Sequence, residues 1–187
     1  MIDTTKVFIT IHRGGHQIGG SCVEIIFGGQ SLILDAGLPL DGIEASNGPV
    51  FQAKPLGVLL SHAHLDHWGL LNQISDDVPI YGSRGTCVLL NEVAPIFLSK
   101  HPRQKINLID SKKTFSIGSF TITPVPVDHS SPDALAFIIE VGDRRILYSG
   151  DFRAHGRTAW RFERLLNHPL IKSQNSEIPI NLQGEST

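Results

Sequence analysis

Apolar and polar positions alternate through Lys6–His12. Val7, Ile9 and Ile11 fall on one side and Phe8, Thr10 and His12 on the other, the two-residue period of a strand. Cys22–Phe27 is apolar and β-branched, Gly28-Gly29 supplies a hairpin turn, and Ser31–Leu34 returns as its partner, ending at Asp35-Ala36-Gly37. Residues 38–55, rich in Gly, Pro and polar side chains, read as a loop. The short apolar run Gly57–Leu60 predicts a strand covered on both faces. A helix is predicted from Leu65 to about Ile74 with Leu70, Leu71 and Ile74 buried, then a strand at Val78–Tyr81. A second helix is predicted over 84–98, with Val88, Leu89, Val93 and Phe97 at helical spacing and Pro95 disturbing its end. Strand-like segments return from Ile106 to Val127 with a turn at Ser116–Ser119. Ala134–Val141 and Arg145–Ser149 flank a hairpin turn at Gly142-Asp143. A last helix is predicted from about Thr158 to Leu166, and from Pro169 the chain reads as irregular except at Ile178–Leu182.

Strands, helix, strand, helix, strands, helix is the order of an α/β layered domain, with packed sheets and helices outside, rather than of a regular βαβ series. The 187 residues suffice for one domain with a real core, and 41% hydrophobic with 18% charged content is that of a globular chain. A net charge of −2 carries no general basic field for nucleic acid, although it leaves room for a local basic patch. Cys22 and Cys87 are too few for a disulfide framework and wrongly spaced for zinc, so two reduced thiols in a cytoplasmic chain are expected. No secretory leader is expected from the first residues, and no apolar run approaches the roughly 20 residues that span a bilayer.

The chemistry concentrates in Ser61-His62-Ala63-His64-Leu65-Asp66-His67-Trp68-Gly69, directly after an apolar strand. In extended backbone, His62 and His64 share one side. Asp66 and His67 follow where the chain turns into a helix, so they can fold back to the same point. Imidazole and carboxylate are ligands for zinc and related cations, and the end of a strand before a helix is a usual place for a site in α/β proteins. His129 and Asp151 stand at the ends of two later strands, within Val127–Asp133 and Tyr148–Arg153. Each alone reads as a turn or cap residue; after a His-rich loop they are what a layered sheet needs to surround a metal pair.

His62-x-His64-x-Asp66-His67, His129 and Asp151, with Asp35 at the end of an early strand, resemble the metallo-β-lactamase-fold hydrolases in order and context. Gly14–Cys22, His129–Ala134 and Ser149–Arg153 are most similar to the ribonuclease J and β-CASP group of that superfamily. The resemblance implies an αββα sandwich over residues 1–168, incomplete in its C-terminal half, and an irregular tail over 169–187. It implies that His62, His64 and His129 hold one metal, Asp66 and His67 a second, and that Asp151 bridges them. Zinc is the expected ion, with manganese or iron fitting the same donors. A shared water or hydroxide would be the nucleophile and Asp66 its orienting group and proton acceptor. Asp35 would brace the loop. Ser130 and Arg153 are the candidate substrate contacts, and nucleic acid is the candidate partner.

Arg153, Arg157, Arg161 and Arg164 would share one helix face if the segment were helical throughout, as a phosphate-tracking stripe or a solvated surface. Gly14, Gly15, Gly19 and Gly20 suit a turn or a close approach to substrate. Trp68 is expected to pack beneath the cluster. The pattern also departs from the family, which supplies one more histidine late in the chain. Only His155 and His168 follow Asp151, both in helix-like context. A weak second metal, and apolar surface covered by a homodimer mate or another partner, are therefore expected. Three functions remain open on the residues: a phosphodiesterase acting on RNA or DNA, a lactone, thioester or lactam hydrolase, and a truncated metal-binding fragment of weak or no activity.

Overall fold

A computed structural model describes residues 5–40, 49–97 and 106–172. The predicted loop at 38–55 is thus described only at its two ends, and the Ile178–Leu182 stretch lies outside the described residues. Two sheets face each other. In the first, β1 (Phe8–Arg13), β2 (Cys22–Phe27) and β3 (Gln30–Leu34) are antiparallel; β4 (Pro55–Leu59), β5 (Ile80–Gly82) and β6 (Ile106–Leu108) then add parallel to β3. The second is an antiparallel meander of β7 (Phe115–Ile117), β8 (Phe120–Pro126), β9 (Leu135–Val141) and β10 (Arg144–Tyr148).

Period-two alternation builds three apolar layers from these strands. Between the sheets, Val23, Ile25, Leu32, Leu34 and Leu59 meet Phe120, Ile122, Leu135, Phe137 and Ile139. On the outer face of the first sheet, Ile33, Val58, Leu60 and Ile80 pack against Trp68, Leu70, Leu71 and Leu90. These come from α1 (Leu65–Trp68), a 3₁₀ turn at Leu71–Gln73 and α2 (Arg84–Phe97). On the outer face of the second sheet, Val125, Ala136 and Ile138 pack against Leu165 of α3 (Trp160–Leu166), followed by one turn, α4 (Pro169–Lys172). Helices, sheet, sheet and helices make an αββα sandwich. β1 is an edge strand of the first sheet, and Phe8, Ile9 and Ile11 on it are exposed, as are Ile18, Leu40 and Val50 nearby.

Several predicted elements shift. The strand after the loop runs Pro55–Leu59 rather than Gly57–Leu60. The helix expected over 65–74 stops after one turn, because the Leu70 amide donates to Ala36 O at 2.8 Å instead of continuing the helical ladder. In α2 Thr86 and Leu90 are buried and Cys87 and the expected Val93 pack against the same core, while Val88 is exposed. The predicted irregularity from Pro169 begins with the α4 turn.

Candidate metal centre

The His-rich loop is held by backbone contacts before its side chains act. Ala63 N donates to Ser131 Oγ at 3.1 Å, and Ala63 O accepts from Trp68 Nε1 at 3.0 Å, so the residue between His62 and His64 is fixed on both sides. The carbonyls of the short α1 find donors in neighbouring loops: Leu38 N to Leu65 O, Ser21 N to Asp66 O and Ala36 N to His67 O, at 3.2, 2.9 and 2.8 Å. Gly37 permits this close fit, since a Cβ there would lie 1.6 Å from Asp66 O. Across the sheets, Leu135 N donates to Ser61 O at 2.9 Å.

Asp35 sits under the loop, fully buried, with φ +56, the left-handed region that non-glycine residues seldom occupy. Its Oδ1 accepts from Ser61 N at 2.7 Å. Its Oδ2 faces Ser61 Oγ and His67 Nδ1, each at 2.7 Å, and the Tyr148 hydroxyl at 2.6 Å. His62 Nδ1 lies 3.0 Å from the same Ser61 hydroxyl. With their Nδ1 atoms so engaged, both rings present Nε2 to the centre.

The six predicted donors come together at the ends of strands from both sheets. One atom from each of His62, His64, His129 and Asp151 forms a set lying within 4.8 Å of one another, and Asp66, His67 and Asp151 form a second such set. Asp151 belongs to both. Its Oδ2 is 3.9 Å from His62 Nε2 and from His129 Nε2, and its Oδ1 is 3.4 Å from His67 Nε2. His129 Nε2 is 3.1 Å from His64 Nδ1, and Asp66 Oδ2 is 3.6 Å from His67 Nε2. His62 Nε2, His67 Nε2 and Asp151 Oδ1 are buried without a hydrogen bond. Buried polar atoms left so are costly unless something else engages them. Nitrogen and carboxylate atoms aimed at common points, with the His62 and His67 rings oriented from behind, fit divalent cations.

The electrostatics divide the donors into two kinds, with His62 and Asp151 held in their ligand forms and His67 and Asp66 pushed toward their protonated forms. Burial and three neighbouring imidazoles hold His62 well below the usual histidine range, so its lone pair is available at neutral pH. Burial opposes a charged His67, but the Asp35 and Asp151 carboxylates outweigh it and push its pKa up to about 10. Burial raises the Asp66 carboxyl, with Asp151 adding to the effect. Asp151 is held low despite its burial, chiefly by His67.

Ser130 is exposed beside the centre, its Oγ 3.5 Å from His64 Nε2. Arg153 turns to Asp128: its Nε is 3.5 Å from Asp128 Oδ2 and its amide donates to Asp128 O at 2.8 Å. The four arginines do not share a helix face, because α3 begins only at Trp160 and Arg153 and Arg157 precede it. Neither His155, exposed, nor His168 joins a donor set among the described residues. Trp68 is fully buried, as expected. Ser131 and Tyr148 carry roles that the sequence did not disclose. The inward alternation of Ile146 and Tyr148 was the available signal, since a buried tyrosine hydroxyl needs a partner.

Residues 34–167 match the beta-lactamase superfamily domain family. The chain belongs to the beta-lactamase superfamily. Two curated ribonucleases J are among its relatives. That of Helicobacter pylori (strain ATCC 700392 / 26695) is 26% identical over 160 residues, covering 79% of this chain and 23% of the relative. That of Mycoplasma genitalium is 30% identical over 212 aligned positions, covering 97% of this chain and 35% of the relative. The chain therefore spans roughly a quarter to a third of the length of these relatives. The metallo-beta-lactamase fold protein YhfI of Bacillus subtilis superposes with a TM-score of 0.58 at 20% identity, over 79% of this chain and 65% of that one. The superfamily, its αββα fold and the likeness to the ribonuclease J branch thus stand as the motifs implied.

Proposed function

We propose that this beta-lactamase superfamily chain is a metal-dependent hydrolase of phosphodiester bonds in RNA or DNA. The observation that carries the reading is the convergence of two donor sets on the shared Asp151, with buried imidazole and carboxylate atoms left without hydrogen bonds. The ribonuclease relatives support the choice of phosphodiester over other substrates. His62, His64, His129 and Asp151 would hold one cation and Asp66, His67 and Asp151 a second; zinc, manganese and iron all suit these ligands. Divalent ions there would lower the pKa of a water and offset charge developing on phosphoryl oxygen.

The chain's own side chains orient and move protons around that chemistry. Asp66, the carboxylate whose pKa is raised, would orient the attacking water and accept its proton. Ser130, exposed next to His64, is placed to donate to a phosphate oxygen. Arg153 holds Asp128, and so the turn that presents His129, while it remains paired there. Asp35 keeps the His67 ring turned toward the centre.

The test is cleavage of end-labelled RNA and single-stranded DNA by metal-loaded protein of measured metal content. Cleavage that disappears on chelation and in His64→Ala is the expected result. Protein carrying two cations per chain that cuts neither substrate would overturn the reading, and turnover of a lactone or thioester panel instead would move the same donors to carbonyl chemistry.

A further inference from the structure

A groove of about 470 Å³ runs between α3 and the β7–β8 side of the second sheet. Pro124, Val125 and Pro126 of β8 contribute to its lining. Lys112, Lys113, Arg161, Arg164, Trp160 and His168 bring four lasting cations, one indole and one imidazole. No carboxylate is among its described lining residues, in a chain whose net charge is −2. Asp110 approaches Lys113 at 3.5 Å from beside the groove.

Packing does not explain Trp160. α3 is anchored by Leu165, which is 2% exposed, and by Phe162, whose ring stacks on Phe152 with centroids 5.1 Å apart. Trp160 is 57% exposed, with the Arg161 guanidinium 5.8 Å from its ring centroid. The Arg161 Nη1 donates to Val127 O at 3.3 Å, which fixes that cation against the end of β8. An exposed indole among four cations, of which Lys113 is paired with Asp110 beside the groove, has the make-up of a platform that stacks bases and tracks phosphates. One end of the groove lies close in the chain to a metal-centre residue. Pro126 lines it, and His129 stands three residues further on, at most about 11 Å of extended chain.

We propose that this groove binds single-stranded nucleic acid, with phosphates on Lys112, Lys113, Arg161 and Arg164 and a base stacked on Trp160. The nature of the occupant rests on the nucleic-acid reading of the metal centre, but binding in the groove requires no cation and no cleavage. The two can therefore fail separately.

The experiment is fluorescence anisotropy of a labelled 12-mer oligouridylate with chelator-treated protein across a salt series. Four phosphate contacts predict that log affinity falls with log salt at a slope of about −3. Lys112→Glu with Arg164→Glu is expected to weaken binding at least about tenfold and to flatten that slope by about 1.4. Trp160→Ala is expected to weaken it roughly 5- to 100-fold, and Trp160→Phe to retain most of it. Trp68 is fully buried, so oligonucleotide should quench the exposed Trp160 emission and leave a Trp160→Phe variant unquenched. The residual Trp68 emission and the melting temperature report whether each variant is folded. Unchanged binding after charge reversal, no quenching, or engagement of phosphatidylserine vesicles but not of oligonucleotide overturns the groove. Cleavage without binding in the groove overturns this proposal alone; binding without any cleavage overturns only the hydrolase reading.

Discussion

The Tyr148 hydroxyl donates to Asp35 Oδ2 at 2.6 Å, joining two residues 113 positions apart. The same oxygen faces His67 Nδ1 at 2.7 Å. A phenol at the end of β10 therefore helps set the orientation of an imidazole carried by α1. Tyr148→Phe keeps the ring and removes the hydroxyl. It should cost about 1–3 kcal/mol, because a buried carboxylate loses a donor. If His67 takes part in metal binding, affinity should also fall, by about 10- to 100-fold, as for other groups that orient ligands. Urea unfolding and competitive metal titration check the two effects. An unchanged affinity would confine Tyr148 to stability.

Gly37→Ala should be among the most damaging small substitutions in the molecule. The added methyl would occupy the space of Asp66 O, at 1.6 Å, and neither neighbour is a side chain that could swing aside. Relief requires the Asp35–Leu38 segment to part from α1, breaking the Leu38–Leu65 and Ala36–His67 backbone bonds. A loss above about 3 kcal/mol is expected, larger than for ordinary point substitutions. Thermal unfolding measures it, and a near-native melting temperature would contradict the packing described.

Glu24 supplies a prediction away from the metal centre. This fully buried carboxylate has His12 Nε2 at 2.9 Å and accepts from Ser31 Oγ at 2.6 Å and Gln52 N at 3.3 Å. Burial pushes its pKa up, but the bonds from His12, Ser31 and Gln52 outweigh it and hold the value below the usual 4.5. The unfolded chain thus takes up this proton first on acidification. The contribution of Glu24 is full above about pH 4.5 and is lost as pH falls through the depressed folded value. Glu24→Gln should cost about 1–3 kcal/mol at pH 7. The gap between the two proteins should narrow below pH 4.5; urea unfolding at pH 7 and pH 3.5 checks this, and a constant gap would contradict it.

The strands and the donors were legible because both depend on local order. Apolar, β-branched runs beside glycine turns placed β2, β3 and β9 to within a residue, and the His-x-His-x-Asp-His spacing needed only a strand end and a turn. What failed was local periodicity overruled from a distance. The helix over 65–74 was plausible on its own residues, but Ala36 O takes the Leu70 amide. The arginine stripe required helix from position 153, where the chain instead turns back onto Asp128 through the Arg153 amide. Ser131 and Tyr148 could not be assigned because their partners, Ala63 and Asp35, lie far away in sequence. The basic groove was hidden for the same reason: Lys112 and Arg164 become neighbours only once α3 lies over β8.

The two donor sets draw on both halves of the sandwich, and His64 and His129, 65 positions apart, meet at 3.1 Å. A cation held between them would bind the folded chain and not the unfolded one, tying the two halves together and adding stability that grows with the concentration of free ion. The sheets could not then separate without releasing the ion. Removing metal from such a protein would do more than stop a reaction: it would loosen the joint between the halves, and amide exchange across β8 and β9 would quicken before the first sheet gave way.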